Sequence, residues 1–138
     1  MTEDLWPEIK GSATSPPMEI LNVQASKLAE KTSHRLEAEV KTSVYGQTIK
    51  IDFSIVAPAL DHYKYKLFTV SHEAMGYPLR IEGFKLDDSP SRSSVFGLKA
   101  DGPDQFKDLL RRILNHEDTK NILASLLANT RASSDVRA

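Results

Sequence analysis

RLEAEVKTSVYGQTIKIDFSIVA, residues 35–57, changes its apolar period from three-and-four to two, and the rest of the fold is read outward from it. Leu36, Ala38, Val40, Thr42 and Val44 alternate with Arg35, Glu37, Glu39, Lys41 and Ser43, the pattern of a strand with one side buried and the other in water. Tyr45, Gly46 and Gln47 read as a turn. Beyond it Ile49, Ile51, Phe53 and Ile55 alternate with Lys50, Asp52 and Ser54. Two such runs around a tight glycine-bearing turn predict an antiparallel hairpin.

Upstream, SPPMEILNVQASKLAEKTSH predicts a helix opened by Ser15 as N-cap and Pro16 in the first turn, where a missing N–H costs little. Met18, Leu21, Ala25, Leu28 and Ala29 form its apolar stripe, and Asn22, Gln24, Lys27, Glu30 and Lys31 its wet side. Lys31 and His34 suit the negative end of the helix dipole. Residues 1–14 lack periodicity and read as a flexible arm, with Trp6, Leu5 and Ile9 expected to dock on the body, ahead of the alternative that they dock on a partner.

Downstream, Pro58 ends the second strand because it cannot donate to a ladder. YKYKLFTVSHEA, residues 63–74, follows as a strand with mixed faces: Tyr63, Tyr65 and Leu67 on one, Lys64, Lys66, Phe68 and Val70 on the other. A shorter strand is expected around Leu79 and Ile81, then a polar loop, then a last strand at SVFGLKA with Val95 and Phe96 side by side. Asp101, Gly102 and Pro103 open a helix with Phe106, Leu109, Leu110, Ile113 and Leu114 on one face. A second, short helix carries Ile122, Leu123, Leu126 and Leu127.

The predicted fold is therefore α+β: an antiparallel meander of four to five strands, preceded by one helix and followed by two helices packed on one face. One domain is expected over residues 15–128, with a disordered tail at 129–138. A chain of 138 residues fits a single core. Its 40% hydrophobic and 27% charged content is that of a folding chain.

Composition narrows function by exclusion. A net charge of −1 lacks the basic excess that marks duplex DNA or RNA binding. The absence of cysteine removes disulfides, thiolate nucleophiles and the usual structural zinc sites. Neither a signal peptide nor a run of roughly 20 apolar residues is apparent, so no membrane association and a cytoplasmic location are expected.

Single motifs fail on geometry. HEAMG at 72–76 opens like a zinc-protease helix, but Gly76 stands where the second histidine belongs. HED at 116–118 has Lys120 in that place, and its carboxylates suit a helix N-terminus. His62 and His72 are separated by a strand of about 33 Å, far beyond a shared metal. Ser71, His72 and Glu73 are strand neighbours pointing to opposite faces, which forbids a catalytic triad. The six glycines never cluster as a phosphate loop requires. Asp87, Asp88 and Ser89 lack the spaced oxygen series of a calcium site. No catalytic residue, cofactor or metal is assigned.

A single-strand nucleic-acid surface would need tyrosine and lysine to cooperate, yet Tyr63 and Tyr65 face away from Lys64 and Lys66. Lys107, Arg111, Arg112 and Lys120 make the last helices basic outside, and Glu37, Glu39 and Asp52 make the hairpin's outer face partly acidic. The leading expectation is a non-enzymatic protein-binding or adaptor module, offering a groove or a sheet edge to a protein partner or to itself as a homodimer. The first alternative is a small-ligand-binding protein or enzyme, with a pocket between sheet and helices lined by Tyr63, Tyr65, His72 and Tyr77. The second is an immunity- or chaperone-like protein escorting one effector.

Overall fold

The computed structural model describes residues 3–84, 86 and 98–136. Helix α1 (Pro17–Lys31) precedes strands β1 (Glu37–Tyr45), β2 (Thr48–Ala57), β3 (Tyr63–His72), β4 (Leu79–Glu82) and β5 (Leu98–Ala100). Helices α2 (Pro103–Leu114) and α3 (Glu117–Val136) close the chain. The strands form one antiparallel sheet in the order β1-β2-β3-β4-β5, so each is hydrogen-bonded to its neighbour in sequence, as the meander requires.

The hairpin pairs Tyr45 with Thr48 around a two-residue turn. Gly46 sits at φ +62°, the value that the first position of such a turn demands and that only glycine adopts without strain. Ile51, Phe53, Ile55 and Ala57 of β2 are buried, and Phe106, Leu110 and Ile113 of α2 and Leu126 of α3 belong to the same core. From α1, the core takes Ile20 and Leu21, with Met18, Ala25 and Leu28 half-buried against it. Coverage thins along β1. Thr42 and Val44 lie on the core-facing side by register but are exposed, Val44 at 66%. Alternation fixes the side a residue faces; whether a helix lies over it is a separate matter.

The mixed faces of β3 have one cause. Phe68 pairs with Phe53, but the next partners are Ser54 with Lys66 and Ile55 with Tyr65, so Leu67 is an extra residue in the ladder. This β-bulge shifts the alternation by one. Because paired residues share a face, Tyr63, Tyr65, Phe68 and Val70 all lie on the core side, while Lys64 and Lys66 lie outside. Phe53 and Phe68 stack with ring centroids 5.1 Å apart and planes 8° from parallel.

Several boundaries differ from the sequence expectation. Ser15 is not the N-cap of α1: Pro16 holds that position without a side-chain cap, and Ser15 instead offers its carbonyl to the Tyr77 hydroxyl at 2.9 Å. At the other end, His34 lies beyond the helix at φ +64°, its N–H donating back to the Ala29 carbonyl at 2.8 Å. Thr32 locks the exit, its hydroxyl lying 3.0 Å from the carbonyls of Leu28 and Leu36 and 3.1 Å from the donating Leu36 N–H.

The expected short last helix and tail are one helix of 20 residues, α3, running through 129–136. An apolar stripe is not needed to continue a helix already nucleated. Thr130 is buried there, its hydroxyl donating to the Leu127 carbonyl at 2.8 Å. The last strand is described only at Leu98–Ala100. Val95, Phe96 and Gly97, like Asp87, Asp88 and Ser89, lie outside the described residues.

Candidate functional site

Of the four residues singled out from the sequence, Tyr63, Tyr65 and His72 occupy one side of the sheet and Tyr77 the connection beyond, and none lines the hollows among the described residues. Tyr63 and Tyr65 sit at the start of β3, opposite Ala57 and Ile55, and remain 49% and 38% exposed. His72 ends the same strand, opposite Ile49, with its Nδ1 2.7 Å from the Glu73 carbonyl. Tyr77 lies beyond it in the β3–β4 connection, where its hydroxyl ties that loop to Ser15. Burial raises the Tyr77 phenol above its ordinary 10.0. A neutral phenol donating to a carbonyl at the root of α1 is a structural staple. Gly76, at φ +84°, lets the loop pass, with Pro17 Cδ 3.5 Å from where its Cβ would stand.

The outer face of the sheet is compensated in charge. Lys64 Nζ lies 2.8 Å from Glu39 and Lys50 Nζ 3.8 Å from Glu82, while Asp52 accepts from the Thr69 hydroxyl at 2.7 Å. Acidic and basic groups alternate there, so the face presents neither a strongly acidic nor a strongly basic field.

A concave feature lies on the core side, where α1 passes α2 and the start of α3. Phe53 and Ile55 form its floor, Leu28, Leu114 and Leu123 its apolar walls, and Gln24, Asn115 and Thr119 its polar lining, with Lys27 and Lys31 at the edge. The volume is about 240 Å³. It adjoins a second hollow of about 220 Å³, lined by Ile20, Gln24, Lys107, Leu110, Arg111, Leu114 and Asn115. Sharing Gln24, Leu114 and Asn115, the two form one elongated cleft along α1.

Local sequence explains the lining. On α1, Gln24, Lys27, Leu28 and Lys31 recur at three and four residues and so share a side. On α2, Lys107, Leu110, Arg111 and Leu114 do the same. Asn115 follows the end of α2, its side-chain N–H donating to the Arg111 carbonyl at 2.8 Å, and the Thr119 hydroxyl donates to the Ile113 carbonyl at 2.7 Å.

Four cations therefore rim a partly apolar floor. Arg111 is paired with Asp108 at 3.6 Å; Lys27, Lys31 and Lys107 have no ion-pair partner among the described residues. From the sequence, Lys27 and Lys31 read only as the wet side of a helix. Their juxtaposition with Lys107 and Arg111 depends on how α1 and α2 pack, which no linear spacing encodes.

Among the described residues, no group of three or more His, Asp or Glu side chains is placed to hold a metal ion. No described helix is long and apolar enough to cross a membrane. Fold and cleft define an α+β sheet-and-helix domain with a cationic groove beside its core. Compared with protein-family models, curated proteins and solved structures, the chain matches none.

Proposed function

We propose that the protein is a non-enzymatic binding module that holds an acidic, partly apolar segment of a partner protein in the cleft between α1 and α2. The observation that carries this reading is the cationic rim of the cleft, Lys27 and Lys31 beside a floor of Phe53 and Ile55, and Lys107 and Arg111 beside Ile20 and Leu110. Apolar floor and charged rim are the division of labour of a peptide groove: buried contacts supply affinity, and complementary charge supplies steering and register. The shape favours a chain over a compact metabolite, since the two hollows run on along α1 as an elongated cleft rather than one compact cavity.

Fluorescence polarisation with labelled peptides tests it. Peptides alternating carboxylates with large apolar residues are expected to bind the native protein and to lose about tenfold or more in affinity to K27E/K31E, with charge-reversed peptides binding the native protein no better than scrambled controls. Equal affinity for acidic and charge-reversed peptides would refute the reading, as would indifference to K27E/K31E in a variant whose circular dichroism is native.

A further inference from the structure

Resting on that reading of the cleft, one segment of the chain itself has the chemistry the groove selects. Residues 3–10, EDLWPEIK, interleave Glu3, Asp4 and Glu8 with Leu5, Trp6 and Ile9. The three apolar side chains are 84%, 76% and 76% exposed, an unusual exposure for residues of this size. The arm's internal bonds are short-range: Trp6 N–H donates to Asp4 at 3.1 Å, and Lys10 lies 3.9 Å from Glu8.

We infer that the Glu3–Ile9 segment of one copy of this chain occupies the cleft of a second copy, and reciprocally, forming an arm-exchanged dimer. Charge complementarity supports it, three carboxylates against Lys27, Lys31 and Lys107, with Arg111 beside them already paired to Asp108. Length agrees for the apolar part: Glu3 to Ile9 in extended form spans about 20 Å, of which Leu5 to Ile9 takes about 13 Å, within the roughly 17 Å of cleft wall from Ile20 to Lys31, so that Glu3 and Asp4 reach its end.

The root of the arm favours exchange over folding back. Ser15 is tied to Tyr77, Pro16 leaves the helix extended at φ −72° and ψ 158°, and Pro17 follows with its own fixed φ. A tethered segment able to reach its own cleft would experience a local concentration in the millimolar range, yet residues 3–14 all stand exposed. Exchange between two copies is the closed, self-complementary arrangement that a two-fold axis provides.

Trp6 is the sole tryptophan, so its emission reports the arm alone. The full chain is followed by sedimentation velocity and by Trp6 emission over a dilution series from high micromolar to nanomolar. Dimer content and a blue-shifted emission are expected to disappear together on dilution. K27E/K31E and E3K/D4K/E8K should each weaken the dimer about tenfold or more, and an equimolar mixture of the two should restore heterodimer. The peptide spanning 3–10 should compete.

A monomer at every concentration with unshifted Trp6 emission would overturn the inference, and if unrelated acidic peptides still bind the cleft, the proposed function stands without it. A blue shift independent of concentration would place the arm in its own cleft and overturn the exchange. A dimer indifferent to both charge reversals would lie on another surface, and would equally overturn it.

Discussion

Deleting one residue from a central strand normally turns every side chain on one side of the break to the wrong face. Leu67 should be the exception. With Leu67 removed, Tyr63, Tyr65, Phe68, Val70 and His72 alternate perfectly with Lys64, Lys66, Thr69 and Ser71, and the pairing on both sides of the bulge is retained. The cost is then the burial of one leucine, which is 3% exposed in the native protein. Leu→Ala at such sites costs about 2–5 kcal/mol, and the deletion should differ from L67A by no more than about 1 kcal/mol, the worth of a regained ladder hydrogen bond. Against a total stability of about 5–15 kcal/mol, both variants should remain folded. Urea unfolding followed by far-ultraviolet circular dichroism measures both. Tryptophan emission is unsuited because Trp6 lies on the exposed arm. A deletion that abolishes folding while L67A folds would refute the register at Leu67.

The Phe53 and Phe68 rings should each cost about 3–5 kcal/mol on truncation to alanine, with a double-mutant coupling of about 0.5–1.5 kcal/mol from their stacking, read from the same urea curves. T32V should lose about 1–3 kcal/mol, because the half-buried hydroxyl serves both the end of α1 and the entry to β1. Y77F should cost about 0.5–1.5 kcal/mol at neutral pH. Its pH dependence is signed: a phenol with its folded pKa raised above 10.0 contributes stability at lower pH that is lost as pH climbs through 10 and beyond. Melting temperatures from pH 8 to 11 should therefore fall more steeply for the native protein than for Y77F, in proportion to this one group.

The candidate site was much less legible than the fold. Tyr63, Tyr65, His72 and Tyr77 drew notice because aromatic and titratable residues cluster within one stretch. In space they spread from one end of β3 to the other and on into the loop beyond it, and Tyr77 is occupied with Ser15. Lys27, Lys31, Lys107 and Arg111 carried no distinguishing mark, since exposed cations on amphipathic helices are ordinary. They become neighbours only because a helix before the sheet and a helix after it pack side by side.

What could be read along the chain was whatever the backbone repeats locally: the period of two through the hairpin, the glycine its turn needs, and the three-and-four spacing of Phe106, Leu110 and Ile113. Those periods settled the α+β class and the meander, because a face must be buried wherever a stripe of apolar side chains exists. Decisions involving distant partners were invisible to it. Leu67 becomes a bulge only when β2 supplies the facing ladder. Val44 stays wet because no described helix covers that end of β1, and α3 holds its last turns without an apolar stripe to announce them. Each depends on contacts between residues far apart in sequence, and a one-dimensional pattern holds no information about which distant surface will arrive to cover it.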